Sequence, residues 1–203
     1  MTIRIGVIGA GGMGREHIKN LAAIDGVEVM VVADIDATAA LDAAGLCDAA
    51  ASTDVADVAA DSRLDGVVIA SPDQTHADLT IVAVERGRFV LCEKPLASVV
   101  ADAERVVAAE ATAGQPLVQV AFMRQYDPAH LQVRSAMKEL GLVRHVRAVH
   151  RNTNHQWERP LDLVLSQALI HDVHTARWLT GTEFSSITTQ GVSGHRPVEH
   201  GVM

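Results

Sequence analysis

Basic residues are in short supply in this 203-residue sequence. It has 17 lysines and arginines against 25 aspartates and glutamates, which gives a formal net charge of −8 at pH 7. No segment gathers lysine and arginine into a patch that could follow a phosphate backbone. The shortage therefore predicts that nucleic acids are not partners of this chain.

Long hydrophobic runs and cysteine pairs are also missing. No apolar run approaches the roughly 20 residues that cross a bilayer, and the first residues read as a strand rather than as a signal peptide. Cys47 and Cys92 stand alone, without the CxxC spacing of a metal or redox site. Isolated cysteines suit a reducing compartment. The sequence therefore predicts a cytoplasmic protein that does not bind a membrane.

What the sequence does have is a glycine turn between a strand-like run, Ile3–Ile8, and a helical one. Gly9 permits a tight turn, Gly11 leaves room for phosphate oxygens, and Gly14 lets the next helix pack closely. The N–H groups at the start of that helix favour an anion. An ordinary glycine-rich loop is the alternative to a dinucleotide site. The predicted cofactor-binding residues in this turn are Gly9, Gly11, Gly12, Met13 and Gly14.

An acidic residue follows the second strand-like run. Asp34 lies about 20 positions after the glycine turn, where dinucleotide-binding domains place a carboxylate for the ribose hydroxyls. A carboxylate repels a 2′-phosphate, and no lysine or arginine occurs between Lys19 and Arg63 to neutralise one. We therefore predict NAD rather than NADP, with Asp34 and Ile35 at its adenosine. A solvated carboxylate or a helix N-cap is the alternative for Asp34, although Asp36 could provide the cap instead.

Strand-like and helical runs alternate along the first part of the chain, which predicts a parallel sheet with crossover helices. Right-handed crossovers make this a doubly wound, Rossmann-type α/β domain that binds its ligand at the carboxyl ends of the strands. We place this domain at residues 1–122 and a partial α+β domain at residues 123–203. The predicted strands cover residues 3–8, 28–33, 65–70, 89–92, 117–122, 143–151 and 186–192. The predicted helices cover residues 75–86, 98–113 and 128–140, with a first helix from residue 13. The alanine-rich stretch 37–60 has a composition that helices readily tolerate.

A second motif, Glu93-Lys94-Pro95, follows the strand predicted at residues 89–92. Pro95 removes a backbone donor and stiffens the chain, so it could fix the direction in which Lys94 projects into the cleft. A lysine there can orient a substrate hydroxyl and stabilise negative charge that develops on its oxygen. The alternative is a surface lysine that pairs with Glu93 or Glu85.

These motifs together resemble the Gfo/Idh/MocA oxidoreductase family. The likeness rests on the glycine turn, Asp34, Ala70-Ser71-Pro72 with His76 after it, and Glu93-Lys94-Pro95. It extends through the second domain, where residues 122–128, 150–152, 170–172 and 177–179 resemble the inositol 2-dehydrogenase branch. The resemblance implies an NAD-dependent dehydrogenase that oxidises a secondary alcohol of a cyclic polyol or sugar. It also implies that Lys94 and His171 serve the reacting carbinol.

The same resemblance extends the predicted site beyond these motifs. A polyol is bound by many convergent donors and acceptors, so several polar residues become candidates for hydroxyl recognition. The residues predicted to flank the cofactor are Ser71, Pro72, Gln74, His76, Glu93 and Lys94, and those predicted to bind substrate are Arg124, Tyr126, Asn152 and His155.

Oxidation of an alcohol requires a base for the hydroxyl proton, and a histidine such as His171 suits that role near neutral pH. A nearby Lys94 ammonium would favour the alkoxide. Inositol dehydrogenases generally carry an aspartate four residues before this histidine, on the same helical face. This chain has Gln167 there, which can hydrogen-bond but cannot carry charge. A changed substrate, slower turnover or lost catalysis would each follow, so a non-catalytic dinucleotide-binding protein or redox sensor is the competing prediction.

Four histidines raise a metal-site alternative. His171 and His174 would turn to one side of a helix, and His150 and His155 lie upstream. Zinc needs convergent third and fourth ligands, and neither a cysteine pair nor an HExxH motif supplies them. We therefore predict no metal.

The length of the chain is a second departure from the family. The resemblance implies a longer second domain whose later antiparallel strands would lie beyond residue 203, so the sequence is either a fragment or a shortened form. A sheet cut off there would expose unpaired edges and an apolar face. We therefore predict self-association through the second-domain sheet, or instability if nothing covers it.

Overall fold

The structure is a computed structural model that describes residues 2–149 and 165–190. The chain divides into two compact units, Met1–Met123 and Arg124–Met203. This division falls one residue after the predicted domain boundary. Within the described ranges, no helix is both long enough and apolar enough to cross a membrane.

The first unit is built on a parallel sheet with strands in the order β3-β2-β1-β4-β5-β6. The chain moves outward from β1 to β2 and β3, then returns to the other side of β1 and continues outward through β4, β5 and β6. This order is that of a doubly wound Rossmann fold, so the predicted fold class is confirmed. The strands are β1 (Ile3–Ile8), β2 (Val27–Ala33), β3 (Ala50–Ser52), β4 (Gly66–Ile69), β5 (Phe89–Cys92) and β6 (Val118–Val120).

Helices connect these strands and begin at recognisable signals. The Asp36 carboxylate accepts hydrogen bonds from the amides of Thr38 and Ala39, and Asp54 caps the next helix in the same way through the amide of Asp57. Asp36, not Asp34, is therefore the N-cap. The helices of the first unit are α1 (Gly12–Ala22), α2 (Ala37–Ala44), α3 (Val55–Ala60), α4 (His76–Glu85) and α5 (Val100–Ala113).

The sheet is buried on both faces. Successive residues of a strand point to opposite sides, so neighbours such as Val7 and Ile8 enter different cores. One core contains Val7, Val29, Val32 and Val68 with Ile18 of α1 and Ala43 of α2. The other contains Ile8, Ala33, Val67 and Ile69 with Val58 of α3 and Leu79 of α4.

The alanine-rich stretch 37–60, whose composition helices tolerate, contains two helices and also a strand that the sequence did not predict. Between α2 and α3 the chain forms the short edge strand β3, whose three residues pair with Val31–Ala33 of β2. Ala-Ala-Ser has no β-branched residue to signal a strand. The strand forms because backbone groups along the open edge of β2 accept and donate its hydrogen bonds. The local sequence of residues 50–52 gives no sign of this distant partner.

Helices are the regular elements among the described residues of the second unit. They are α6 (Pro128–Leu140) and α7 (Ile170–Thr180), and a π-helical turn, Leu165–Leu169, precedes α7. The strands predicted at 143–151 and 186–192 are wrong for residues 143–149 and 186–190, which form no strand, and their remaining residues lie outside the described ranges. Apolar alternation alone does not make a strand, because a strand is held by the ladder of a neighbour.

Candidate functional site

Four predicted motifs meet at one edge of the first-unit sheet. Residues 9–14 follow β1, Asp34 follows β2, residues 70–72 follow β4, and residues 93–95 follow β5. The strand order reverses between β1 and β4, and the crevice at such a point is where doubly wound sheets bind ligands. The parallel sheet therefore brings the predicted cofactor residues of the first unit to a common edge.

The glycine turn is packed against the loop that follows β4. Gly9 has a φ of +102°, and a Cβ on it would lie 2.5 Å from the carbonyl carbon and oxygen of Ala70. A Cβ on Gly14 would overlap the carbonyl oxygen of Gly9. Both positions therefore exclude a side chain, since backbone atoms cannot move aside cheaply.

The other side of the turn is open. Neither Gly11 nor Gly12 has a heavy atom within 4 Å of the position where its Cβ would lie, and Met13 is exposed. Gly11 is the N-cap of α1 and provides no side chain to its first-turn amides. Open space beside a helix N-terminus fits a pyrophosphate. Sequence reasoning missed Arg15, whose Nε donates to the carbonyl of Ala10 at 3.0 Å and so lies against this turn.

Asp34 is joined to the glycine turn by its side chain. Its Oδ2 accepts a hydrogen bond from the amide of Ala10 at 2.7 Å, and its Oδ1 accepts one from the amide of Asp36 at 3.0 Å. A carboxylate has about four lone-pair positions, so two remain for ribose hydroxyls. Ile35 is 84% exposed beside it and offers an apolar surface to a base.

The loop after β4 forms a compact turn. Ser71 Oγ lies 2.6 Å from Thr75 Oγ1, and Thr75 Oγ1 donates to the carbonyl of Pro72 at 2.8 Å. Pro72 and Gln74 are exposed on this turn. His76, which follows it, is 1% exposed.

The predicted contact between His76 and the dinucleotide is not supported. Its Nδ1 lies 2.7 Å from the carbonyl oxygen of Pro95, and its Nε2 lies 2.9 Å from the carbonyl oxygen of Ser71. Both ring nitrogens are thus already occupied by the protein backbone, and the ring is buried between two loops. Both nitrogens of this ring thus face the protein and not the open side of the crevice residues.

Glu93 and Lys94 follow β5 in a partly buried position. The amide of Glu93 donates to the carbonyl of Ile69 at 2.8 Å, which continues the β4–β5 pairing by one residue. Glu93 Oε1 lies 2.9 Å from His17 Nε2, and Glu93 Oε2 accepts from the Lys94 amide at 3.2 Å. The Lys94–Pro95 peptide bond is cis. Sequence reasoning missed His17, although its place one helical turn after the glycines was visible.

The Glu93 carboxylate is held in its charged form. Burial raises the pKa of Glu93, but the hydrogen bond and charge of His17, together with the Lys94 amide and ammonium, outweigh burial and leave this pKa below its ordinary value. Glu93 therefore adds negative charge at the end of β5, beside Lys94.

The second unit carries the other predicted catalytic residues. His171 is buried in α7 with 7% exposure, and Gln167 lies in the π-helical turn before it, where the sequence predicted α-helix. The Thr175 hydroxyl donates to the carbonyl of His171 at 2.6 Å. Burial, and then the charge of Arg177, lower the pKa of His174, which favours its neutral form.

Arg124 is anchored to α7. Its Nη1 pairs with Asp172 Oδ1 at 2.5 Å and lies 3.4 Å from Thr175 Oγ1, so this nitrogen is engaged by the protein rather than left for a substrate hydroxyl. Sequence reasoning missed Asp172 as its partner. Tyr126 is 63% exposed. Asn152 and His155 lie outside the described residues.

The metal-site alternative rests partly on residues outside the described ranges. Over residues 2–149 and 165–190, no three histidine, cysteine, aspartate or glutamate side chains are grouped so that they could hold a metal ion. His150 and His155 are not in those ranges, so their part in that alternative stays open.

Comparison with known proteins decides the family. The Gfo/Idh/MocA model, an oxidoreductase family with an NAD-binding Rossmann fold, matches residues 3–122. The chain belongs to this family. It is 39% identical to inositol 2-dehydrogenase 2 of Saccharopolyspora erythraea, over 93% of this chain and 57% of that protein. It is also 39% identical to inositol 2-dehydrogenase of Rubrobacter xylanophilus, over 94% of this chain and 56% of that protein.

A solved structure gives the same result in three dimensions. The chain resembles myo-inositol dehydrogenase from Lactobacillus casei, crystallised with NAD(H) and myo-inositol, with a TM-score of 0.82 and 31% identity over 89% of this chain and 55% of that one. The family resemblance seen in the sequence is therefore confirmed. The chain spans little more than half the length of the curated relatives it matches.

Proposed function

We propose that this chain is the cofactor-binding part, with some of the substrate-binding part, of an NAD-dependent dehydrogenase that acts on a secondary alcohol of a cyclic polyol or sugar. The observation that carries the proposal is the crevice of the first unit, where the open glycine turn, Asp34 and the Glu93–Pro95 segment lie at one edge of a Rossmann sheet. Family membership and the inositol dehydrogenase relatives support the substrate class.

The cofactor would be held at its pyrophosphate and at its adenosine ribose. The open space beside Gly11 and Gly12, at the start of α1, would take the pyrophosphate. The free lone pairs of Asp34 would accept the ribose hydroxyls, and the same negative charge would disfavour the 2′-phosphate of NADP. Ser71 and Gln74 would line the neighbouring strand end, beside Pro72.

Two side chains would serve the reacting hydroxyl, as the family resemblance implies. Lys94 would donate a hydrogen bond to the hydroxyl oxygen and stabilise the negative charge that develops there. His171 would accept the hydroxyl proton through its imidazole. NAD, when bound, supplies the acceptor for the hydride. In the reverse direction His171 would return the proton to a ketone.

Recognition of the remaining hydroxyls would come from the second unit. Tyr126 and Gln167 are polar and incompletely buried, so they can offer donors and acceptors to a polyol. Arg124 would act mainly by holding Asp172, and Asn152 and His155 stay as candidates from the sequence. A cytoplasmic location is also proposed, from the isolated cysteines. Self-association is proposed through the second-domain sheet that the family resemblance implies.

The test is a turnover screen. NADH absorbance is followed while NAD and a panel of inositols and sugars are offered to the chain. We expect formation of NADH with at least one cyclic polyol. NADH binding without turnover across the panel would contradict the proposed activity and favour a non-catalytic dinucleotide-binding protein.

A further inference from the structure

The imidazole of His76 bridges two loops that both border the cofactor crevice. His76 is the first residue of α4, and its ring is buried at 1% exposure. Nδ1 lies 2.7 Å from the carbonyl oxygen of Pro95, after β5, and Nε2 lies 2.9 Å from the carbonyl oxygen of Ser71, after β4. The ring therefore joins two segments that are 24 residues apart in sequence.

Both partners of the ring accept hydrogen bonds and cannot donate them. A buried carbonyl oxygen that loses its donor is unfavourable, so an N–H of the ring stabilises the conformation in which the buried Pro95 oxygen faces it. The neutral ring can donate to only one of them, whereas the protonated ring can donate to both. The neutral ring with its proton on Nδ1 and the protonated ring both donate to Pro95, so in either of these forms the ring fixes where this carbonyl points.

A second histidine contacts the same segment. His17 of α1 lies 2.9 Å from Glu93 Oε1, and both side chains are largely shielded, at 18% and 13% exposure. Glu93 and Pro95 immediately flank Lys94. The residues on each side of Lys94 therefore contact different histidines, Glu93 through its side chain with His17 of α1 and Pro95 through its carbonyl group with His76 of α4.

We propose that His76 is a positioning residue that fixes the backbone carbonyl of Pro95, and through it the placement of Lys94, without contacting the dinucleotide. The role of Lys94 in this statement rests on the proposed function. The backbone bridge does not, because it is made between residues of the protein. Loss of the ring should therefore loosen residues 93–97 and leave the cofactor cradle at Gly11 and Asp34 in place.

Three substitutions separate the two halves of the bridge. His76→Phe fills the space but has no donor. His76→Asn places an amide nitrogen near the position of Nδ1, so it can still donate to Pro95, and His76→Gln places one near the position of Nε2, so it can still donate to Ser71. Val84→Ala is the matched control, because Val84 is also buried in α4, two turns further on, and is not part of either loop.

Hydrogen exchange of the whole 203-residue chain, measured by mass spectrometry without ligand, is the primary readout. We expect His76→Phe to speed exchange of residues 93–97 about tenfold relative to residues 3–8 of β1. Compared with His76→Phe, His76→Asn should restore most of the protection from exchange at residues 93–97. His76→Gln should restore protection only at residues 71–75. Val84→Ala should lower the melting temperature without a selective change at 93–97.

NADH titration and turnover of myo-inositol complete the test. We expect the affinity of His76→Phe for NADH to stay within about threefold of the native chain while kcat falls about tenfold. Unchanged exchange at 93–97 in His76→Phe, or no difference between the Asn and Gln variants, would overturn the bridge. A large loss of NADH affinity would show instead that His76 serves the cofactor. A native chain that does not bind NADH would refute the proposed function, while the exchange pattern would still decide the bridge.

Discussion

The two units of this chain differ in what they bury. Every hydrophobic side chain that is buried among the described residues lies at or before Leu117, within the first unit. In the described part of the second unit His171 alone is buried, whereas Leu140 and Leu142 are more than four fifths exposed. The first unit thus forms its own core. The described helices of the second unit leave apolar surface uncovered.

The residues of the proposed function are likewise distributed over the two units. The cofactor residues belong to the unit with the core, and their positions are set by contacts within it, such as Asp34 with Ala10 and Glu93 with His17. His171 belongs to the other unit. Its neighbour in sequence, Asp172, forms an ion pair with Arg124. Binding of cofactor and turnover should therefore respond differently to damage in the two units.

The largest expected effect comes from separating the units. Expressed alone, residues 1–123 should unfold cooperatively and bind NADH within about threefold of the whole chain, because the buried core and the cradle lie in that range. Residues 124–203 alone should show no cooperative transition. Circular dichroism melts and NADH titration measure both. A first fragment that stays unfolded would show that the second unit completes its core.

Removal of the Lys94 ammonium should lower turnover without weakening the binding of NADH. Lys94→Ala should reduce turnover of myo-inositol by at least about a hundredfold and leave NADH affinity nearly unchanged, since the lost interaction develops mainly in the transition state. Lys138→Ala, at an exposed position of α6, is the control for loss of a lysine. Steady-state kinetics measure both variants. Full activity in Lys94→Ala would show that this lysine is only a surface charge at the end of a strand and has no part in turnover.

Cofactor choice should depend on Asp34. NAD(H) should bind at least about tenfold more tightly than NADP(H), a difference of about 1.4 kcal/mol. Asp34→Asn should weaken NADH binding and narrow that gap, because the neutral amide no longer repels a 2′-phosphate and holds the Ala10 amide less strongly. Asp42→Asn, on the exposed surface of α2, is the control. Equal affinities of the native chain for NADH and NADPH, read from cofactor fluorescence, would remove Asp34 from the ribose site.

The second unit is tested by restoring a carboxylate near His171. Gln167→Asp should raise activity towards inositol by about a few-fold or move the acidic limb of the pH–rate profile, because a nearby carboxylate makes an imidazole more basic. Gln119→Asp makes the same change of charge in the first unit and should leave the profile in place. If both variants keep the native profile and substrate preference, Gln167 lies outside the reacting site.

The smallest expected effect is on acid stability. The pKa of Glu93 is lowered in the folded protein, so its stabilisation is fully present above the ordinary glutamate pKa, about 4.3, and is lost as pH falls through the lower folded value. The free energy of unfolding of Glu93→Gln should therefore fall less over this acidic range than that of the native chain. Urea denaturation at pH 7, 4.5 and 3.5 measures it. Parallel losses in both proteins would mean that Glu93 has the same pKa folded and unfolded.

Local sequence patterns predicted the glycine turn, Asp34 and Glu93-Lys94-Pro95. Each of them directly follows a strand, so it could be recognised without knowledge of distant contacts. Other features depend on pairs that are distant in sequence and could not be predicted. The contacts of His17 with Glu93 and of Arg124 with Asp172 arise only when separate helices and strands meet.

The sequence by itself determined the parallel Rossmann sheet, because buried strands carry continuous apolar runs and glycines mark where a backbone must approach closely. Tertiary structure decided three other matters. It made an edge strand from Ala50–Ser52, because the backbone of β2 offered hydrogen-bonding partners. It left residues 143–149 without a strand partner, and they form no strand. It also set the buried His76 ring between the carbonyl groups of Pro95 and Ser71, which follow different strands.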